Sequence, residues 1–263
     1  MMLSLDTGLS GLEQFQEQIN VVANNIANVN TVGFKQSDVS FADTLSETIG
    51  SNAESSLQIG TGVMTSSITQ DFSTPGSLTS TGVQSNLAIS GNGFFVVTNP
   101  ANGNTYVTQD GDFNVDQNGY LVNSSGMQVQ GTNGAIQITS PSSATVTGYT
   151  IGTDGTVTVD LSDGTTSTVG QIVMQNFSNP DELVSVGGNL FTAPASAGGL
   201  AAPATSGTNG LGTIDSGYLE MSNVDLAGQL TDLISAQNAY QANSKVVTTS
   251  DAVLQTLVNM VQT

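Results

Sequence analysis

Leu226, Leu230, Leu233, Tyr240, Val247, Leu254, Val258 and Val261 fall on one seam of alternating four- and three-residue steps in this 263-residue chain. Apolar residues at that spacing line a single face of an α-helix. From Ser222 onward the pattern covers roughly 40 residues, or about 60 Å at ~1.5 Å per residue. A helix that long is unusual inside a compact domain, and heptad spacing calls for a second helix along the seam. Three seam positions are polar, Gln237, Ser244 and Asp251, so the seam is clean at its ends and weak in its middle. A shorter helix, broken there and packed on the rest of the chain, is the alternative reading. Ser222 followed by Asp225 resembles a capping box and marks the predicted helix start.

The other terminus is the nearest candidate partner. Leu5, Leu9, Leu12, Phe15, Ile19, Val22 and Ile26 form one helical stripe, with Ser10, Glu13, Glu17, Asn24 and Asn28 opposite. Between the two helical segments, residues 57–195 are rich in Thr, Val, Gly and Asn with period-2 alternation. The dipeptides Asp110-Gly111, Asn118-Gly119, Asp154-Gly155 and Asp163-Gly164 punctuate them as hairpin turns. The predicted class is α+β: terminal helices pairing as a coiled coil around a central antiparallel β-rich domain. The predicted division is 1–32 with 222–263 as the helical part, 33–74 and 193–221 as extended connectors, and 75–192 as the β-rich domain. "APASAGGLAAPATSGTNG" (193–210) has the low complexity of a connector.

Composition then narrows the function. Two lysines, Lys35 and Lys245, stand against 21 acidic residues, and the formal charge is -19. Nucleic-acid binding needs clustered Lys and Arg, and adsorption to anionic lipid needs basic segments, so both are excluded. No cysteine is present, so there are no disulfides. Nowhere do about 18 consecutive apolar residues occur, and no helical membrane span is expected. The acidic, amphipathic opening "MMLSLDTGLSGLEQFQEQIN" lacks the features of a cleavable secretory signal.

Motifs of catalytic type have simpler explanations. Asp6-Thr7-Gly8 matches an aspartic-protease triplet, but it lies in a helical stretch and has no second copy. Asp112, Asn114 and Asp116 alternate as calcium ligands do, yet Gln117 stands where the loop needs Gly and Asn123 where it needs Glu. Gly91-Asn92-Gly93 begins like a dinucleotide fingerprint, but Val96 takes the place of its third glycine. With no His or Cys, and neither lysine in a Ser-x-x-Lys arrangement, catalysis would have to rest on carboxylates alone, and with aromatic residues at 5% and no Trp there is little to build a sugar-stacking cleft. The chain reads as a non-enzyme without metal or cofactor.

One stretch is odd. "ANNIANVNTVGFK" (23–35) ends a helical pattern in four asparagines, residues that disfavour helix interiors. Asn28 and Asn30 suit a helix end, and Gly33 suits the left-handed turn that stops one. Asn24 and Asn25 lie inside the helical pattern and need another explanation.

This stretch resembles the N-terminal signature of bacterial flagellar rod and hook proteins. "GYLEMSNVDLAGQLTDLISAQNAYQANSKVVTTSDAVLQTLVNM" (217–260) is similar to the matching C-terminal signature. "LAISGNGFFVV" (87–97) and "ITQDFSTPGSLTSTG" (68–82) are similar to the opening of the family's β domain and the segment before it. The resemblance implies an axial subunit exported by the flagellar type III apparatus without a cleaved signal. It implies polymerisation with itself into a helical tube, terminal helices inside, next to other axial proteins. The short connector after "FADTL" (41–45), "NFSNPDELVSVGGNLF" (176–191) and residues 222–246 look hook-like. On these features a short hook protein with one β domain is the preferred member, with the distal rod protein of the basal body as alternative. A secreted β-rich adhesin is the competing class. Asn238 stands where the family commonly has arginine, which puts carried-over salt bridges between subunits in doubt. The residues expected at subunit contacts are Asn24, Asn25, Ile26, Asn28, Asn30, Gly33, Phe34, Leu226, Leu230, Leu233, Tyr240 and Leu254.

Overall fold

A computed structural model describes residues 2–52, 55–139, 145–199 and 203–261. The chain divides into two compact units, residues 1–28 with 36–70 and 224–263, and residues 29–35 with 71–223.

The first unit is built on α1 (Met2–Ala27) and α2 (Leu226–Val261). They run antiparallel and in contact. Ser4 lies beside Ser250, Gly8 beside Val247, Gly11 beside Asn243, and Asn25 beside Gln229. The two glycines allow a close approach, because a Cβ would meet Val247 Cγ2 at 3.0 Å from Gly8 and Asn243 Nδ2 at 2.7 Å from Gly11.

This proximity rotates α2 relative to the expected seam. Leu233, Tyr240, Val247 and Leu254 are shielded as expected, but the intervening inward positions are Gln229, Ala236 and Asn243. Leu226 and Leu230 lie on an open flank. Small and polar residues fit against the glycines where leucine would not. α2 begins at Leu226 because Asp225 is its cap: the carboxylate accepts the Ala227 N–H at 3.1 Å. The predicted start at Ser222 was therefore one turn early.

The segment expected as an extended connector holds four strands, β1 (Ser37–Asp43), β2 (Ser46–Asn52), β3 (Ser55–Gly60) and β4 (Val63–Gln70). β1 pairs antiparallel with β4, and β2 with β3. α1 packs on the β1–β4 ribbon, with Phe15 and Phe41 edge to face at 6.1 Å and Gln14 hydrogen-bonded to Thr65.

The second unit is antiparallel β structure. Its central strand, Phe94–Thr98, is buried along both faces, as a near-continuous apolar run requires. Phe95 and Val97 enter one core with Leu87, Phe113, Leu121, Val157 and Met174. Phe94 and Val96 enter a second with Val107, Phe177 and Phe191. Fully burying such a side chain contributes about 1.5–3 kcal/mol. Strand Thr105–Thr108 flanks the central strand on one side; Gln128–Gly131 and Val173–Gln175 share the other.

"TVTVDL" forms the middle strand of a three-stranded meander, Val146–Ile151, Thr156–Leu161 and Thr166–Gln171, turning at Asp154-Gly155 and Asp163-Gly164 as expected. Asn118-Gly119 also closes a hairpin, and Asp116 Oδ1 stabilises that turn by accepting the N–H groups of Asn118 and Tyr120. Asp110-Gly111 does not make a hairpin: the strands before and after it pair elsewhere. Gly111 is needed there because a Cβ would overlap the carbonyl of Leu87, and the backbone N–H of Leu87 donates to Gly111 O at 3.0 Å.

Candidate functional site

Within the first unit, the asparagines after the apolar stripe divide into two kinds. Asn25 is 1% exposed. Its Nδ2 donates to Ser37 O and to Gln229 Oε1, and its Oδ1 accepts the Ser37 N–H, each at 2.9 Å. A side-chain amide has the donor and acceptor of a peptide group, so Asn25 pairs with Ser37 as a neighbouring strand would. One side chain thereby joins α1, the start of β1 and α2. Asn24 is exposed, and its carbonyl accepts both the backbone N–H of Asn28 (3.1 Å) and the Asn28 side-chain amide (2.9 Å). Asn28 thus satisfies a last-turn carbonyl of α1. Ile26 is half-buried; Asn30, which belongs to the second unit, is exposed.

Apolar side chains also remain on the open flanks of both helices. Leu9 of α1 is 52% exposed and Ile234 of α2 is 60% exposed; Leu226, Leu230, Val246, Val253 and Val258 are exposed too. Leu226, Leu230 and Ile234 follow one another at four-residue steps and so share one flank of α2.

In the second unit, Gly33 has φ +65°, but it does not cap α1, which ended at Ala27. It lies against Asp110, whose backbone N would be 2.8 Å from a Cβ, and its N–H donates to Glu220 O at 2.8 Å. Phe34 is buried beside it. Lys35 is 3% exposed, and its Nζ lies 2.8 Å from Glu220 Oε1 and 3.3 Å from Thr74 O. The same Glu220 oxygen accepts the Gly76 N–H at 2.7 Å. This is the ion pair found among the described residues.

Sequence reasoning gave Lys35 no partner. The available signal was a solitary lysine after a buried aromatic in an acid-rich chain, and Glu220 lies 185 residues away. Burial pushes the Asp110 carboxyl up to about 6; the Asp112 N–H opposes this and the Asp112 charge adds to it. Hydrogen bonds from Ser73 and Thr74 hold Asp71 below the usual carboxylate range. Asp6-Thr7-Gly8 lies in α1 with Gly8 packed on Val247, a helix contact and not a paired-carboxylate centre.

Comparison with known proteins follows the same segments. Residues 5–35 match a family model described as "Flagella basal body rod protein". Residues 88–159 match "Flagellar hook protein FlgE/F/G D1 domain", and residues 215–260 match "Flagellar basal body rod FlgEFG protein C-terminal". The chain is 42% identical to the flagellar basal-body rod protein FlgG of Bacillus subtilis, over 99% of each chain. It is 40% identical to that of Caulobacter vibrioides over 97% of each. The flagellar hook protein FlgE of Escherichia coli is 26% identical, in an alignment of 413 positions covering 98% of this chain and 100% of the hook protein.

Proposed function

The chain belongs to the family of flagellar basal-body rod and hook proteins, and from that premise we propose that it is a structural subunit of the distal rod. Members of this family are structural parts of the flagellum and not enzymes. The observation that carries the rod reading is 42% identity along 99% of a rod protein, against 26% to a hook protein aligned over 413 positions. Whole-length similarity thus outweighs the hook-like connector and strand segments on which the sequence favoured a short hook protein.

In this reading the subunit polymerises with its own kind into a helical tube and adjoins other axial proteins. It leaves the cell through the type III apparatus without a cleaved signal. Support for self-assembly comes from the apolar flanks, which are left exposed among the described residues. Leu226, Leu230 and Leu9 supply contact area between copies, with Asn24 and Asn30 as uncharged hydrogen-bonding groups. Leu233, Tyr240 and Leu254 hold the α1–α2 pair, as a coiled coil, beneath that surface. Asn25, Ile26 and Asn28 shape the contacts of the first unit and Gly33 and Phe34 those of the second, each being wholly or partly buried in its own unit. Charge works against assembly, since copies each carrying -19 repel one another.

The test is electron cryotomography of cells carrying a labelled chain, beside a deletion strain. Label in the basal-body shaft and loss of hook and filament on deletion are expected. Label along the curved hook would overturn the rod reading. A motile deletion strain with normal flagella would overturn the axial reading and favour an adhesin.

A further inference from the structure

Of the two lysines in the chain, Lys35 is buried against Glu220. Lys245, on α2, is exposed and has no ion-pair partner among the described residues. It lies two residues from both Asn243 and Val247, which face Gly11 and Gly8 of α1. Two residues turn a helix through about 200°, so Lys245 projects from the side of α2 that faces away from α1. Leu230, Ile234, Asn238, Gln241 and Lys245 follow at steps of four, four, three and four, all exposed, and form one strip there. Lys245 is the charged member of that strip.

α1 carries the complement. Asp6 lies two residues before Gly8 and Glu13 two residues after Gly11, so both project from the side of α1 opposite α2. Asp6, Leu9 and Glu13 stand at steps of three and four, all exposed, with the apolar Leu9 between the two carboxylates. In one copy the two strips look away from each other across the helix pair. Lys245 and these carboxylates therefore meet only between copies.

We infer that the outward strip of α2 docks on the outward strip of α1 in a second copy of this chain, with the Lys245 stem over Leu9 and its ammonium on Glu13. Charge selects this arrangement. Copies each carrying -19 repel, and α1 set on α1 would oppose carboxylate to carboxylate. Lys245 is the exposed basic side chain with which one copy can answer the carboxylates of another. Its long apolar stem covers a leucine while the charged tip reaches past it. An exposed ion pair adds little affinity, but at a contact it sets register and orientation. Because the two strips differ, the contact is heterologous and passes from copy to copy, as a helical polymer requires. The inference rests on the self-assembly proposed above and adds to it the two faces that meet and the charge that aligns them.

Purified basal bodies are treated with a water-soluble carbodiimide, which joins an amine to a carboxylate only where the two touch. Covalent dimers of the chain are expected, with mass spectrometry placing the link between Lys245 and Glu13. Lys245→Arg keeps the charge but offers no amine to couple, so it should assemble within about twofold of the natural chain and lose the dimer. Lys245→Glu should lower the number of completed basal bodies about tenfold, since like charges then meet at the contact. Adding Glu13→Lys to it should restore assembly to within about threefold, a rescue that a misfolded chain would not show. Lys245 left uncoupled in basal bodies that contain the chain, coupled only to carboxylates off the α1 strip or to another protein, or no rescue by the double variant, would overturn this inference and leave the rod reading standing. Basal bodies without the chain would overturn both.

Discussion

Lys35 and Glu220, 185 residues apart in sequence, form a buried ion pair at 2.8 Å in the β unit. Glu220 simultaneously holds the Gly76 N–H, and Lys35 the Thr74 carbonyl, so the pair ties three segments together. Removing one member leaves the other charged and buried, which costs far more than the pair itself contributes.

Lys35→Met is therefore expected to destabilise the β unit by about 3–5 kcal/mol. Lys35→Met/Glu220→Gln should lose less, because Gln can still accept from Gly76 and no charge stays buried. Hydrogen exchange of strands Leu78–Ser80 and Tyr218–Glu220, which pair beside this site, reads the difference. Equal exchange in the single and double variants would show that the buried charge is not the cause.

Asn25→Ala removes three hydrogen bonds and leaves both backbone groups of Ser37 without their partner. A loss of about 2–4 kcal/mol is expected. Asn24→Ala, on the exposed side, should stay within about 0.5 kcal/mol. Thermal melting followed by far-UV circular dichroism separates them.

Gly33→Ala and Gly126→Ala both place alanine at positive φ, +65° and +76°. At Gly126 nothing lies within 4 Å of the new Cβ, and the expected cost is the left-handed backbone alone, about 1–2 kcal/mol. At Gly33 the Cβ also meets the Asp110 backbone at 2.8 Å, so the loss should be clearly larger. Urea unfolding of the two variants gives the cost of the close approach by difference.

Asp110 makes stability depend on pH. With its carboxyl raised from 3.8 to about 6, the folded chain binds more protons than the unfolded chain between those values. Stability from this group is fully present below about 4 and falls as pH rises through about 6, by about 3 kcal/mol. Asp110→Asn should flatten that slope in urea midpoints measured across the range. An unchanged slope would assign it to other carboxylates.

Both helices were legible in the sequence because their periodicity persists for many turns. The face each presents to the other was not. Counting apolar residues points α1 toward its partner through Leu9, yet the contact runs through Gly8, Gly11 and Asn25, which carry no hydrophobic signal. Hairpins at Asn118-Gly119, Asp154-Gly155 and Asp163-Gly164 were legible because turn chemistry is local. Asp110-Gly111 has the same local chemistry, but its glycine answers to Leu87, more than twenty residues back. The Lys35–Glu220 pair left no local trace for the same reason. The asparagine-rich stretch stood out at once, although only its structure separates the buried Asn25 from the exposed Asn24.

The triple attachment of Asn25 has a mechanical consequence. A pull on the start of β1 reaches α1 through the peptide chain between Ala27 and Ser37 and, further along the strand, through the Phe15–Phe41 contact. Because the amide grips Ser37 on both its backbone groups and Gln229 besides, the pull is shared by two helices at once. Asn25 is a rivet in the load path, carrying force between β1 and both helices at a single side chain.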